Sequence, residues 1–197
     1  SIRRLGPSAN DTGLCCLPFH HIGGLSILYR SSRAHSTVRL LDRFDSESVN
    51  AAIETGVTII SVVPTMLERM LEARNGTPFP TQLRVILVGG APMTAALLDR
   101  CRTINAPIAM TWGMTETASQ IATRVPGDLR PDRDVGLPLD GVQVSVENGR
   151  LVVQGPIAPG GRYVTADRGR IDEHGRIVVE GRGTALIISG GENIDPT

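Results

Sequence analysis

The sequence predicts an α/β fold in which a mostly parallel, helix-covered sheet is followed by a small β-barrel-like subdomain. Short apolar runs alternate with helix-like segments up to residue 125, which is typical of a parallel sheet with helices on both faces. Beyond it, short β-like runs separated by turns replace the helices. We therefore divide the chain into residues 1–125, an α/β subdomain, residues 126–183, a β-rich subdomain, and residues 184–197.

The first subdomain is predicted from five strands and four helices in alternation. The helices of the second and third units have clear end signals: Pro64 suits a first helical position, and Gly56 and Gly76 follow the two C-termini. The predicted strands cover residues 14–17, 38–41, 58–63, 83–88 and 108–111, and the helices cover residues 25–33, 46–55, 64–74 and 94–104.

The second subdomain begins after a segment rich in proline, glycine and charge, residues 124–134, which marks a boundary. Glu173-His174-Gly175 has the composition of a hairpin turn. The predicted strands cover residues 142–146, 150–154 and 162–165, with hairpin arms at 169–172 and 176–180.

Composition excludes several classes of protein. The 197 residues carry twenty basic and twenty acidic side chains, and this net charge of zero argues against nucleic-acid binding. No apolar run is long enough to span a membrane, and no secretory signal opens the chain. Cys15, Cys16 and Cys101 fit neither a disulfide framework nor a zinc site, so we expect them to be buried in a cytoplasmic protein. All twenty basic residues are arginine.

The most informative stretch, residues 111–117, follows the fifth predicted strand. We expect it to turn into a helix over residues 118–122, whose N-terminus would favour an anion. Its hydroxyls can donate to phosphate, its carboxylate can hold Mg²⁺, and its indole, the only one in the chain, can stack on a base. A simple helix cap by Thr115 and Glu116 is the alternative. The stretch reads Thr111-Trp112-Gly113-Met114-Thr115-Glu116-Thr117.

This stretch resembles the aromatic-Gly-x-Thr-Glu signature of the AMP-forming acyl-CoA synthetase and adenylation-domain superfamily. Two further segments follow predicted strands at the same sheet edge, where ligands bind in such folds. One is similar to the superfamily's adenine-side loop, although glycines also serve ordinary turns. It consists of Gly89, Gly90, Ala91 and Pro92.

The other segment, residues 18–24, contains adjacent histidines. The segment does not match the His-His-x-x-x-Asp-Gly motif of CoA-dependent acyltransferases, because Leu25 and Ser26 stand in place of its Asp and Gly. The segment instead resembles the Pro-x-x-His-x-x-Gly stretch of acyl-CoA synthetases through Pro18, His21 and Gly24. The resemblance implies that His21 lines the acyl pocket, while a hydrogen-bonded histidine at a strand end is the alternative.

Two motifs in the β-rich part also match the superfamily. Asp167 occupies the Asp of its Thr-Gly-Asp motif, whose carboxylate accepts hydrogen bonds from ribose, and Arg182 occupies the Arg of its Gly-Arg motif. Taken singly, either residue would be assigned to a surface salt bridge. Ala166 replaces the usual glycine, and a Cβ there resists a positive φ.

Three short stretches are typical of members resembling o-succinylbenzoate-CoA ligases of menaquinone biosynthesis: residues 21–25, 114–120 and 187–194. The resemblance further implies that residues 184–197 form the hinge and the start of a truncated C-terminal domain. Its phosphate loop would precede Ser1 and its adenylating lysine would follow Thr197. Thr184 replaces the hinge Asp, and the connection between Gly155 and Arg162 is short.

The resemblance implies an ATP-dependent carboxylate-CoA ligase, weak or inactive as this chain alone, that uses ATP/AMP, Mg²⁺ and CoA with a small carboxylic acid. A homodimer is one assembly it allows. A fatty or aryl acyl-CoA ligase and a non-catalytic AMP-binding module are the alternatives. The implied catalytic residues are Thr115 and Glu116, with Glu116 also the metal ligand; nucleotide would contact Gly89, Gly90, Ala91, Pro92, Thr111, Trp112, Gly113, Met114, Asp167 and Arg182, and the acyl group would contact His21, Gly24 and Ser119.

Overall fold

The computed structural model describes residues 1–131, 134–182, 187–189 and 192–194. A seven-stranded sheet dominates, in the order β2-β1-β3-β4-β5-β6-β7. Its first five strands run parallel, and β6 and β7 are antiparallel additions at one side. The predicted α/β class is therefore confirmed. The strands are β1 (Thr12–Cys15), β2 (Thr37–Leu40), β3 (Ile59–Val62), β4 (Val85–Val88), β5 (Ile108–Met114), β6 (Ser119–Thr123) and β7 (Leu137–Pro138).

All four predicted helices are present, and their ends follow from local chemistry. The side chains of Asp45 and Thr94 each accept a hydrogen bond from a backbone N–H of the first turn that follows. Pro64 is the first residue of its helix, and Gly56 and Gly76 follow their helices with positive φ. The helices are α1 (Ile2–Leu5), which was not predicted, α2 (Ile22–Ala34), α3 (Ser46–Glu54), α4 (Pro64–Arg74) and α5 (Ala95–Thr103).

Side chains alternate along the central strands and build a core on each face of the sheet. Ile60 and Ile86 pack in the larger core with α3, α4 and α5, whereas Ile59 and Val85 pack on the opposite face with Leu5 of α1. The three cysteines are buried and unpaired, as predicted. In the part of the chain that the structure describes, no helix is both long and apolar enough to cross a bilayer.

The predicted β-rich part is a four-stranded antiparallel sheet in the order β11-β10-β9-β8. The two runs predicted at 162–165 and 169–172 are one long strand, β10, whose pairing is interrupted by register shifts. The strands are β8 (Gln143–Glu147), β9 (Arg150–Gln154), β10 (Arg162–Ile171) and β11 (Ile177–Arg182).

Two short strands fall within the predicted C-terminal segment, β12 (Ile187–Ser189) and β13 (Glu192–Ile194), and they pair antiparallel. Thr184 and the remainder of residues 183–197 lie outside the described residues. The division at residue 125 stays a prediction. One strand beyond it, β7, belongs to the larger sheet.

The predicted helix over residues 118–122 is wrong, because this segment forms strand β6. Thr115–Thr117 make one 3₁₀ turn, after which Ala118 and Ser119 adopt positive φ values of 53° and 102°. Positive φ is incompatible with continuing a right-handed helix, so the chain reverses and pairs back along β5. Ile121, fully buried on β6, packs beside Leu151 and Ile177 of the smaller sheet.

A buried ion pair fixes the connection between the two sheets. Arg124, 1% exposed, directly follows β6 and donates through Nη2 to Oδ2 of Asp134 at 2.8 Å. The other carboxylate oxygen of Asp134 accepts from the backbone N–H of Gly136 at 2.8 Å. The boundary segment is thus held tightly against the larger sheet.

Candidate active site

A cavity of about 650 Å³ opens beyond the carboxyl ends of β3, β4 and β5. Segments that are far apart in the sequence meet there. Ten of the predicted site residues line it, namely His21, Gly89, Gly90, Thr111, Gly113, Met114, Thr115, Glu116, Ser119 and Arg182.

The double-glycine turn and the indole-bearing stretch lie side by side, as predicted. Strands β4 and β5 are parallel neighbours with Val88 opposite Met110, so Gly89 follows one strand just where Thr111 continues the other. A Cβ on Gly89 would lie 2.8 Å from Cγ2 of Thr111. Glycine is required by this close approach, and it leaves a wall without side chains.

Thr115 and Glu116 are exposed at the tip of the β5–β6 hairpin and face this cavity. Because no helix follows, the helix-cap alternative is excluded, and so is a helix dipole as the source of anion binding. What this tip presents to an anion is a set of individual hydroxyl and N–H donors. Burial and the neighbouring Glu116 carboxylate raise the pKa of Tyr163, a β10 residue that sequence reasoning missed.

Gly113 is required by the hairpin itself. A Cβ at this position would lie 1.7 Å from the carbonyl oxygen of Ser119. The pairing of β5 and β6 shifts register between Trp112 and Gly113, which brings the two backbones together. The glycine of the motif therefore has a structural cause that is independent of any ligand.

Trp112 packs between the two sheets, and its predicted stacking on a base stays a prediction. The residue is 7% exposed, does not line the cavity, and packs with Ile121, Leu151 and Ile177 between the two sheets. Its indole N–H donates to Oδ2 of Asp167 at 2.8 Å. Strand alternation places the ring on the face of β5 that the smaller sheet covers.

Asp167 and Arg182 form a pair across β10 and β11, with Arg182 Nε donating to Oδ1 of Asp167 at 3.0 Å. Asp167 is 6% exposed, so this is not a surface salt bridge. Arg182 lines the cavity. Ala166 is not among the positive-φ residues, which explains how alanine replaces the usual glycine.

Three further predicted residues do not line the cavity: Gly24, Ala91 and Pro92. Gly24 is buried, and a Cβ there would lie 2.4 Å from the carbonyl oxygen of Pro18. It therefore permits α2 to pack against the segment after β1. Its predicted contact with substrate is not supported, whereas His21 lies at the cavity wall.

Sequence reasoning missed Arg30, which lines a second cavity of about 460 Å³. Both cavities share Ser26, Ser119 and Gln120 in their walls. Arg30 is 6% exposed and donates to Ser61 Oγ at 2.9 Å and to Ser26 Oγ at 3.1 Å. Burial lowers its pKa to about 10. The only signal in the sequence was an arginine on the apolar face of a helix.

Arg30 is an uncompensated buried cation within the described residues, since none of their carboxylates forms an ion pair with it. Two neutral hydroxyls do not offset the cost of burying a charge. A cavity that presents such a cation favours a ligand carrying an anionic group.

The site suits Mg²⁺ held chiefly by a ligand. No group of three or more potential metal-binding side chains occurs in the described part of the chain. Glu116 supplies one exposed carboxylate beside the hydroxyl of Thr115. Mg²⁺ is commonly held by one or two carboxylates together with substrate phosphates and water, so this donor set fits it.

Comparison with known proteins agrees with the geometry. A family model described as AMP-binding enzyme matches residues 2–186. The 2-succinylbenzoate–CoA ligase of Listeria monocytogenes serotype 4b is 39% identical over 215 residues, covering 100% of this chain and 46% of the relative. The corresponding ligase of Bacillus cereus strain Q1 is 37% identical, covering 98% of this chain and 46% of the relative.

A solved structure of a double mutant of o-succinylbenzoate CoA synthetase from Bacillus subtilis, bound to a product analogue, has a TM-score of 0.92 at 35% identity. It covers 99% of this chain and 46% of that one. The same enzyme was also solved with ATP and magnesium ion, with a TM-score of 0.86. The chain thus spans slightly less than half the length of these relatives. The family match over nearly all of its residues confirms the resemblance: the chain belongs to the AMP-binding enzyme family.

Proposed function

We propose that this chain is part of an ATP-dependent carboxylate-CoA ligase of the o-succinylbenzoate type. The observation that carries the proposal is the common cavity wall formed by the bare Gly89–Gly90 turn and the Thr115–Glu116 hairpin tip. This wall combines a surface against which a flat base can lie with hydrogen-bond donors for phosphates and a carboxylate for Mg²⁺. The names of the relatives support the same activity.

The proposed reaction has two steps. A carboxylate is a poor electrophile, so ATP first converts it to an acyl-adenylate with release of pyrophosphate. The thiol of CoA then attacks the acyl carbon, and AMP leaves. Thr115 binds the α-phosphate, and Gly89 and Gly90 lie against the base. Glu116 holds the Mg²⁺, which supplies charge neutralisation at the phosphates when bound.

Arg30 favours an acid with a second carboxylate. o-Succinylbenzoate carries two, one to be activated and one to meet the buried guanidinium, with His21 and Ser119 bordering the acyl group. A fatty acid has a single carboxylate, and it gives a buried cation no partner. A fatty or aryl acyl-CoA ligase is therefore our second candidate function.

A non-catalytic AMP-binding module is the rival from another class. Calorimetry with AMP and with an acyl-sulfamoyl adenosine mimic separates the two. A ligase binds the mimic much more tightly, since it presents both halves of the intermediate, whereas equal affinities would indicate a nucleotide module. Homodimer formation and a cytoplasmic location stay predictions.

Glu116→Gln tests the metal role directly. In the wild-type chain we expect Mg²⁺ to tighten ATP binding, measured by calorimetry with and without the ion, because Glu116 would hold the ion and the ion would neutralise phosphate charge. In the Glu116→Gln variant the effect of Mg²⁺ should disappear while the thermal unfolding midpoint is unchanged. Glu173→Gln, at an exposed position of a hairpin turn, is the control. A Glu116→Gln variant that still responds to Mg²⁺ would remove Glu116 from this role.

A further inference from the structure

Tyr163 of β10 lies where the smaller sheet meets the tip of the β5–β6 hairpin. It pairs with Val153 of β9, and because side chains alternate along β10, its ring is on the same face as the buried Thr165 and Asp167. The ring packs against the apolar cluster between the two sheets, as does Met114 just before the hairpin tip. This packing restricts the ring and, with it, the position of the phenol oxygen.

The phenol of Tyr163 lies within hydrogen-bonding reach of the Glu116 carboxylate, and it is near the charges of Arg182 and Asp167 as well. A phenol has one proton to donate, and an ionised carboxylate can only accept. In the described part of the chain, the side chain of Glu116 has no other hydrogen-bonding or ion-pair partner. Tyr163 therefore restrains a carboxylate that would otherwise populate several rotamers, a freedom whose loss on binding costs free energy.

We propose that Tyr163 is a positioning residue, whose hydroxyl group holds the Glu116 carboxylate towards the cavity for the Mg²⁺ that accompanies ATP. The inference rests on the proposed function, in which Glu116 is the metal ligand. One carboxylate oxygen accepts from the phenol, and the other stays available to the ion. Carboxylates that bind metals are commonly oriented by such hydrogen bonds, whose loss typically weakens metal binding by about 10- to 100-fold.

The test is a calorimetric comparison of Tyr163→Phe with the wild-type 197-residue chain. Phenylalanine keeps the packing of the ring and removes only the donor. We expect the gain in ATP affinity that Mg²⁺ produces to fall about tenfold, while the affinity for AMP without Mg²⁺ is unchanged. A merely structural role would weaken the binding of both nucleotides. Tyr29→Phe, at the only other tyrosine, which is exposed on α2, is the matched control and should behave like the wild type.

A spectroscopic signal tests the same contact without removing the tyrosine. The chain has two tyrosines, so ¹³C-labelled tyrosine gives two sets of ring resonances, which Tyr29→Phe assigns. The Tyr163 resonances should move in Glu116→Gln, where a neutral group replaces the charged acceptor, and when ATP and Mg²⁺ are added together. Should Tyr163→Phe fail to fold, Tyr163 resonances that respond to neither change would overturn the proposal.

The outcomes distinguish the positioning role from the proposed function. If Mg²⁺ tightens ATP binding equally in the wild type and in Tyr163→Phe, the positioning role is wrong and the metal role of Glu116 stands. A Tyr163→Phe variant that also loses affinity for AMP would equally refute the role. If Mg²⁺ does not tighten ATP binding by the wild-type chain, the proposed function fails and the positioning role fails with it.

Discussion

Arg30 is the residue on which our proposal of a substrate with a second carboxylate depends. It lies on a helix whose neighbouring side chains pack into the protein, and its guanidinium meets only hydroxyl groups among the described residues. A buried charge without an ion-pair partner lowers the stability of the folded protein. Its value to the protein is therefore expected in binding.

Arg30→Met should separate binding from folding. We expect affinity for o-succinylbenzoate to fall strongly, while affinity for an acid that lacks the second carboxylate changes little. The free energy of unfolding should be unchanged or higher, because an apolar side chain of similar length replaces a buried charge. Binding is measured by calorimetry and stability by urea unfolding. Arg33→Met, on the exposed side of the same helix, is the control. Equal losses for both acids would contradict the assignment.

Motifs predicted which residues lie at the cavity, but they did not predict the surroundings of side chains that the fold buries. The motif around Thr115 and Glu116 correctly indicated residues at a shared cavity. It could not show which way the Trp112 ring points, because that depends on the smaller sheet packing over β5. Arg30 was missed for a related reason: periodicity places it on a helix face, but only the fold shows that a cavity opens beside it.

Helix α2 carries two adjacent glycines with opposite structural demands. A Cβ on Gly24 would lie 2.4 Å from a backbone oxygen, while one on Gly23 would make an ordinary contact at 3.4 Å with the Leu17 side chain. Alanine substitutions at these two positions therefore separate the effect of close packing from the effect of helix propensity.

Gly24→Ala should lower the free energy of unfolding by about 1–3 kcal/mol, because the backbone of residues 17–18 cannot move away easily. Gly23→Ala should be neutral or raise it by up to about 1 kcal/mol, since alanine favours a helix. Chemical denaturation of both variants gives the comparison. If the two variants were equally stable, the close approach of α2 to Pro18 would be refuted.

Helices and parallel strands were largely predictable, because caps and apolar periodicity act locally. Helix α4 matches its predicted bounds, Pro64–Arg74. Strand β6 was not predictable in the same way: Ala118 to Ala122 suits a helix by composition, and only pairing with β5 and burial between two sheets overrides that preference.

The two edges of the larger sheet differ. The cavity opens at the carboxyl edge, whereas the hydrogen bonds of Asp11 lie at the amino edge. Its carboxylate accepts from Arg84 Nη2 at 2.7 Å and from Thr58 Oγ1 at 2.6 Å, and so ties the segments that precede β1, β3 and β4. Burial alone would raise the pKa of Asp11, but the hydrogen bonds from Arg84, Thr58 and Ser8 lower it to about 2.

This linkage predicts the acid sensitivity of the whole fold. Because the pKa of Asp11 is lower in the folded state than its ordinary value, its stabilisation is complete above about pH 4 and is lost as the pH falls towards 2. Asp11→Asn should lower the free energy of unfolding at pH 7 by roughly 2 kcal/mol and flatten its decline between pH 4 and 2. Denaturation at several pH values measures this, with the exposed Asp42→Asn as control. An unchanged acid profile would refute the role.

The connection between β9 and β10 is a tight turn of Pro159–Gly161 in which a Cβ on Gly160 or Gly161 would meet nothing. The backbone of these two glycines faces open space, beyond Ile157, the residue of this connection that lines the second cavity. An epitope or a small fluorescent domain could be spliced in at this point, and the chain would then report its own location without disturbing what it binds.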